Sequence, residues 1–197
     1  VKQILRSVDL VLKAIGPPKA FVKNASEPEV KRLFGKFKHR FTTGAELSSL
    51  LIGMGRIVAH HGSLNACFSS FCAPEHETVL PALCGFAGEL RKASGCECAT
   101  LIPDAQKGSA CKRLNLFLRW MVRKDDVDPG GWNRISPSKL VVPLDTHMHR
   151  IALAHKLTDR TAADIRTALE ITKAFAKFSP DDPVRYDFAL TRPGIQG

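Results

Sequence analysis

Ser109-Ala110-Cys111-Lys112-Arg113-Leu114-Asn115-Leu116-Phe117-Leu118-Arg119-Trp120-Met121-Val122-Arg123 is the clearest helical segment of the chain. Leu114, Phe117, Leu118 and Met121 recur at i, i+3, i+4 and i+7, which predicts a buried stripe. Lys112, Arg119 and Arg123 fall roughly along another side, as a solvated basic face or one that meets phosphate. Helical spacing continues upstream. Ile4, Val8, Val11, Leu12 and Ile15 predict a helix over 2–15, stopped by Gly16-Pro17-Pro18. Ser26-Glu27-Pro28-Glu29 reads as a capping box that opens a helix to about residue 40. Thr43-Gly44-Ala45-Glu46 is a second capping box, with a helix to about residue 61. Short and longer helices follow over 65–71 and 75–93, the latter ended by Gly95.

Downstream, the acidic, Pro- and Gly-containing stretch 124–143 reads as a long ordered loop with a helical turn at 136–140. Asp145 precedes a helix to about residue 155. Thr161-Ala162-Ala163-Asp164 caps the next, and Asp182-Pro183 starts the last, through Leu190. Alternating strand patterns are nearly absent, so the expected class is all-α, as one helical unit over 1–197. Because the periodicity is in force from the first residues, a further helical stretch upstream of Val1 is expected.

The chain has 197 residues and is 44% hydrophobic, which fits a packed core and excludes a disordered tail. No apolar run approaches the ~18–20 residues of a membrane span, and no cleavable signal is recognised, so the expected location is cytoplasmic. With 29 Lys and Arg against 19 Asp and Glu, the net charge of +10 favours a polyanionic partner. The cations cluster as Lys31, Arg32, Lys36, Lys38, His39 and Arg40, and again as Lys107, Lys112, Arg113, Arg119, Arg123 and Lys124. With one Tyr and two Trp, phosphate contact is expected ahead of base stacking on aromatic platforms. Trp120 and Trp132 are expected in the core, and Tyr186 as a buried aromatic.

The six cysteines include no Cys-x-x-C pair, and Cys96-Glu97-Cys98 is a poor chelate. Mostly buried, reduced thiols are expected, with no metal site and no cofactor. His147 and His149, two apart on a helix, point to different sides, and His60-His61 are adjacent; neither makes a metal pair.

Pro143-Leu144-Asp145-Thr146-His147-Met148-His149-Arg150 carries the chemistry. At a helix start the Asp145 carboxylate accepts backbone N–H bonds and meets the positive dipole end, either as a plain cap or as an ionised stabiliser of a developing cation. Leu144-Asp145-Thr146-His147-x-x-Arg150 resembles the (V/L)DTHxxR segment of the helix-hairpin-helix DNA glycosylases such as endonuclease III. Over nearly its whole length the chain is similar to a mostly bacterial family designated domain of unknown function 2400. The resemblance runs through Phe37-Lys38-His39-Arg40-Phe41, the 107–123 stretch, the Asp145 segment and Tyr186-Asp187-Phe188-Ala189-Leu190.

The glycosylase resemblance implies a helix-hairpin-helix glycosylase-like bundle, base excision from damaged duplex DNA with AP-lyase capacity, and Asp145 as the catalytic carboxylate. Lys112 fits the place of the nucleophilic lysine, with Lys107 as rival and phosphate contact as the other reading of Lys112. The long spacing from Lys112 to Asp145 resembles the archaeal 8-oxoguanine glycosylases. Lys107, Arg113, Arg119, His147, Arg150, Lys38 and Arg40 are the expected nucleic-acid contacts.

The sequence departs from that pattern in three places. Leu101 to Ala110 stands where the LPGVGxKTA hairpin would be and keeps only Pro103 and one glycine, Gly108. The C-terminal iron–sulfur cysteines are missing. Pro193, after Arg192, would end the last helix early. The alternatives are a non-catalytic nucleic-acid-binding protein of the same fold and a helical protein–protein adaptor.

Overall fold

The computed structural model describes residues 2–191, so Arg192 and Pro193 lie outside the described residues. It is a mostly helical chain, with ten α-helices and one two-stranded hairpin among the described residues. Two compact units are present, Val1–Phe68 with Phe86–Ile102 and Ser69–Gly85 with Pro103–Gly197.

The first unit holds α1 (Lys2–Ile15), α2 (Pro18–Asn24), α3 (Glu27–Phe34), β1 (Lys38–His39), β2 (Thr42–Thr43) and α4 (Gly44–His61). Gly16, with φ +61, breaks the chain after α1, and Pro18 opens α2 where its missing N–H is no loss. Ser26 caps α3 through Glu29 N. Thr43 and Glu46 close a complete capping box on α4. Val30, Phe34 and Leu51 are buried together, with Val11, Ile15, Phe21, Phe37 and Leu47 packed against them. α3 is shorter than its sequence predicts. It stops at Phe34, and Gly35 and Lys36 turn the chain so that Phe37 docks edge-on against Phe34, 6.3 Å between centroids. Lys38 then pairs with Thr43 and His39 with Thr42, leaving Arg40 and Phe41 as a two-residue hairpin tip.

α5 (Leu64–Ser70) and α6 (Leu80–Ser94) each contribute residues to both units. After α6, Cys96 and Cys98 are disulfide-linked, a correction to the expectation of reduced thiols throughout; Cys67, Cys72, Cys84 and Cys111 keep theirs.

The second unit is built on α7 (Lys112–Val122), α8 (Thr146–Ala154), α9 (Ile165–Ala176) and α10 (Asp187–Thr191), with a 3-10 turn at Pro137–Lys139 in the connecting loop. That loop is ordered by its own hydrogen bonds. Asp125 Oδ1 accepts from the N–H groups of Val127 and Asp128, each 2.8 Å. Gly130 N and Trp132 N donate to the Trp120 and Met121 carbonyls, so the loop satisfies the end of α7. Trp132 is buried and meets Phe117 edge-on. Leu140, Val141 and Val142 enter the core, with Val142 N bonded to Thr172 Oγ1.

Trp120 and Tyr186, expected inside, are each 42% exposed. The stripe of α7 that the fold buries is Leu114, Asn115, Leu118, Arg119 and Val122, one residue round from the one the sequence predicts.

Candidate active site

The site begins with two helix N-termini in the second unit. Asp145 caps α8, its Oδ1 accepting from Met148 N at 2.8 Å. Lys112 is the first residue of α7, after Cys111 in a left-handed conformation, φ 48, ψ 37. The Lys112 Nζ reaches Asp145 Oδ2 at 3.0 Å. The two residues paired by resemblance are thus in contact, and each carboxylate oxygen has its own donor. Burial alone would raise the Asp145 carboxyl; the Met148 and His147 N–H groups and Lys112 outweigh it and hold it below the ordinary carboxylate range. Lys112 is half-exposed and Asp145 three-quarters covered, so the pair opens to solvent from the lysine side.

The segment preceding α7 is a compact turn. Gln106 N donates to Asp104 Oδ1, Gly108 N to the Ala105 carbonyl, and Gly108 has φ +87, which its lack of a side chain permits. The turn is braced on α9: Ser109 bridges Asp164, and Ile165 N donates to the Gly108 carbonyl. Asp164 caps α9 through Thr167 N and pairs with Arg160 at 2.8 Å. Asn115 anchors the start of α7 by donating from Nδ2 to the Ala110 carbonyl.

Behind the pair lies a charge network that the sequence reading missed. Arg119, 2% exposed, pairs with Asp128 at 2.9 Å and Asp187 at 2.5 Å. Arg123 pairs with Asp128, with Asp125 at 2.8 Å and with Asp182 at 2.8 Å. Burial works to lower both guanidinium pKa values, but the carboxylates more than offset it, so both arginines stay charged. Burial pushes the Asp187 carboxyl above its usual range against the pull of Arg119; the charge of Asp145 adds to the push and Lys112 opposes it. Asp187 is therefore electrostatic company to the Lys112–Asp145 pair.

The expected contacts divide accordingly. Lys107, Arg113 and Arg150 are exposed in the second unit. His147 is half-buried, and its Nδ1 is buried with no hydrogen-bond partner. Arg119 is corrected: its guanidinium is enclosed by Asp128 and Asp187 and is not a phosphate contact. Lys38 and Arg40 are exposed in the first unit, on the hairpin. Among the described residues no group of His, Cys, Asp and Glu could hold a metal ion, and no helix is long and apolar enough to cross a membrane.

A family model described as protein of unknown function (DUF2400) matches residues 1–196, and the chain belongs to that family. No curated protein and no solved structure matches the chain significantly.

Proposed function

We propose that this protein excises damaged bases from duplex DNA, as a helix-hairpin-helix glycosylase-like enzyme with lyase chemistry. The observation that carries the reading is the 3.0 Å contact between Lys112 Nζ and Asp145 Oδ2 at two helix N-termini. A depressed carboxyl supports it, because Asp145 stays ionised to face a developing cation. In this reading residues 101–110 take the place of the hairpin, and Lys107, Arg113 and Arg150 meet phosphates.

The target nucleotide is extruded from the stack. Asp145 takes a proton from Lys112, and the neutral amine attacks C1′ as the bond to the base breaks. The base leaves with the bonding electron pair and takes up a proton. The sugar ring then opens to a Schiff base on Nζ, with the proton lost from nitrogen passing to O4′. Loss of a C2′ proton expels the 3′ phosphate, and water hydrolyses the imine to free Lys112.

The test is base release and strand nicking on duplexes carrying 8-oxoguanine, uracil, an oxidised pyrimidine or an abasic site. Both activities are expected on at least one lesion, both weakened in Asp145→Asn, and nicking lost in Lys112→Gln. No release and no nicking on any substrate sinks the enzymatic reading. Retained DNA affinity in the same preparations would then favour the non-catalytic binding protein, in which Asp145 is a helix cap and Lys112 its ion-pair partner.

A further inference from the structure

Phe41 is the most exposed large apolar residue among the described residues, at 84%. A lone exposed apolar side chain needs no explanation by itself. This one stands at the tip of a hairpin whose two strands are each tied to a neighbouring helix. His39 Nδ1 meets Ser7 Oγ at 2.8 Å, tying β1 to α1. Phe37 packs on Phe34 at the foot of the strand. Thr43 closes the capping box with Glu46, its N–H donating to Oε2 at 2.8 Å. Gly44 packs so closely on the Phe34 carbonyl that a Cβ there would clash with it.

The loop breaks the usual turn chemistry. In two-residue hairpins a left-handed φ at the first loop position favours glycine. Here Arg40 occupies it, with φ 53, and Phe41 follows with no such φ. Places where a local rule is broken are expected to be functional or strained sites.

The surroundings select the partner. Lys36, Lys38 and Arg40 are all exposed on or beside the hairpin. A cleft of about 460 Å³ elsewhere, in the second unit, has a mixed lining. The 410 Å³ cleft beside this hairpin is lined by Arg6, Lys36 and Lys38 with Gln3, Ser7 and Phe37, and by no carboxylate. An aromatic ring exposed on a hairpin beside a cationic cleft matches stacked bases edged by phosphates. Aromatic stacking tolerates any base, because each has a π-face, and apolar wedges enter where base steps are already loosened.

We propose that Phe41 inserts into the base stack of distorted DNA, with Lys38 and Arg40 on the flanking phosphates. This rests on the DNA-binding reading above and adds an aromatic contact to it.

The test is fluorescence-anisotropy titration of the full chain with an intact duplex, an abasic duplex and a single strand. Phe41→Ala, Phe41→Trp and Lys38→Ala/Arg40→Ala are measured beside wild type. Phe41→Ala is expected to weaken binding to the abasic duplex and the single strand about five- to 150-fold, with the salt slope unchanged. Phe41→Trp is expected to restore affinity and to show quenching absent from wild type, which carries Trp120 and Trp132. Wild-type binding with Phe41→Ala at equal affinity on all three ligands overturns the proposal and leaves the DNA-binding reading standing. Failure of wild type to bind any of them overturns both.

Discussion

The chain carries two clusters of positive charge, and they do opposite things. Around residues 31–40 the cations stay on the surface, with Lys36, Lys38 and Arg40 all exposed. In α7 they are sorted by helical position. Lys112 and Arg113 remain outside at the first turn, while Arg119 and Arg123 turn inward and are neutralised by Asp128, Asp187, Asp182 and Asp125. Similar runs of Lys and Arg therefore do not give similar surface potential. The difference teaches that a basic stretch reads as a polyanion surface only after its long-range carboxylate partners have been counted.

The sharpest way to break this comparison is to remove a shared carboxylate. Asp128→Ala leaves two buried guanidinium groups underpaired and is expected to destabilise the fold by about 3–5 kcal/mol in urea unfolding. Lys38→Ala, on the exposed cluster, is expected to change stability by no more than about 0.5 kcal/mol. Equal effects would mean that the α7 arginines are not internally paired.

A smaller effect is expected at the site itself. Asp145→Ala removes the α8 cap and should cost about 0.5–2 kcal/mol, whereas Asp145→Asn keeps a capping acceptor and should cost less. If the two variants unfold at the same urea concentration, Asp145 does not act as a cap.

The double variant Lys38→Ala/Arg40→Ala should leave stability unchanged and lower the slope of log affinity against log salt by about 2. An unchanged slope would remove the hairpin cations from the DNA contact.

The smallest effect is in pH. The folded-state pKa of Asp145 lies below its unfolded value of about 3.9, so its stabilisation is fully present above that value and lost as pH falls through the folded pKa. The stability gap between wild type and Asp145→Asn should therefore be constant above about pH 5 and close below about pH 4. A gap that instead closes near neutral pH would contradict a depressed carboxyl.

Much of the helical frame was legible because its signals are local. The capping box at Thr43 and the caps Asp145 and Asp164 lie where the sequence puts them, since a cap needs only residues three positions apart, and Ser26 caps α3 without the reciprocal Glu29 bond of a full box. The hairpin was not legible. Two-residue strands are too short to show alternation, and the basic run through Arg40 reads equally well as a helix. The inward turn of Arg119 was hidden for another reason. Its partners Asp128 and Asp187 lie 9 and 68 residues away, and no local pattern announces such a pairing. Asp187 did leave a trace: a lone carboxylate between Tyr186 and Phe188-Ala189-Leu190 is the kind of acid that folds inward only with a partner.

The most direct measurement is borohydride reduction of the protein on lesion-bearing duplex, followed by peptide mapping of the adduct. The account predicts a covalent link on Lys112, abolished by Lys112→Gln and weakened by Asp145→Asn. An adduct mapped to Lys107, or none on any lesion that the protein binds, would contradict it.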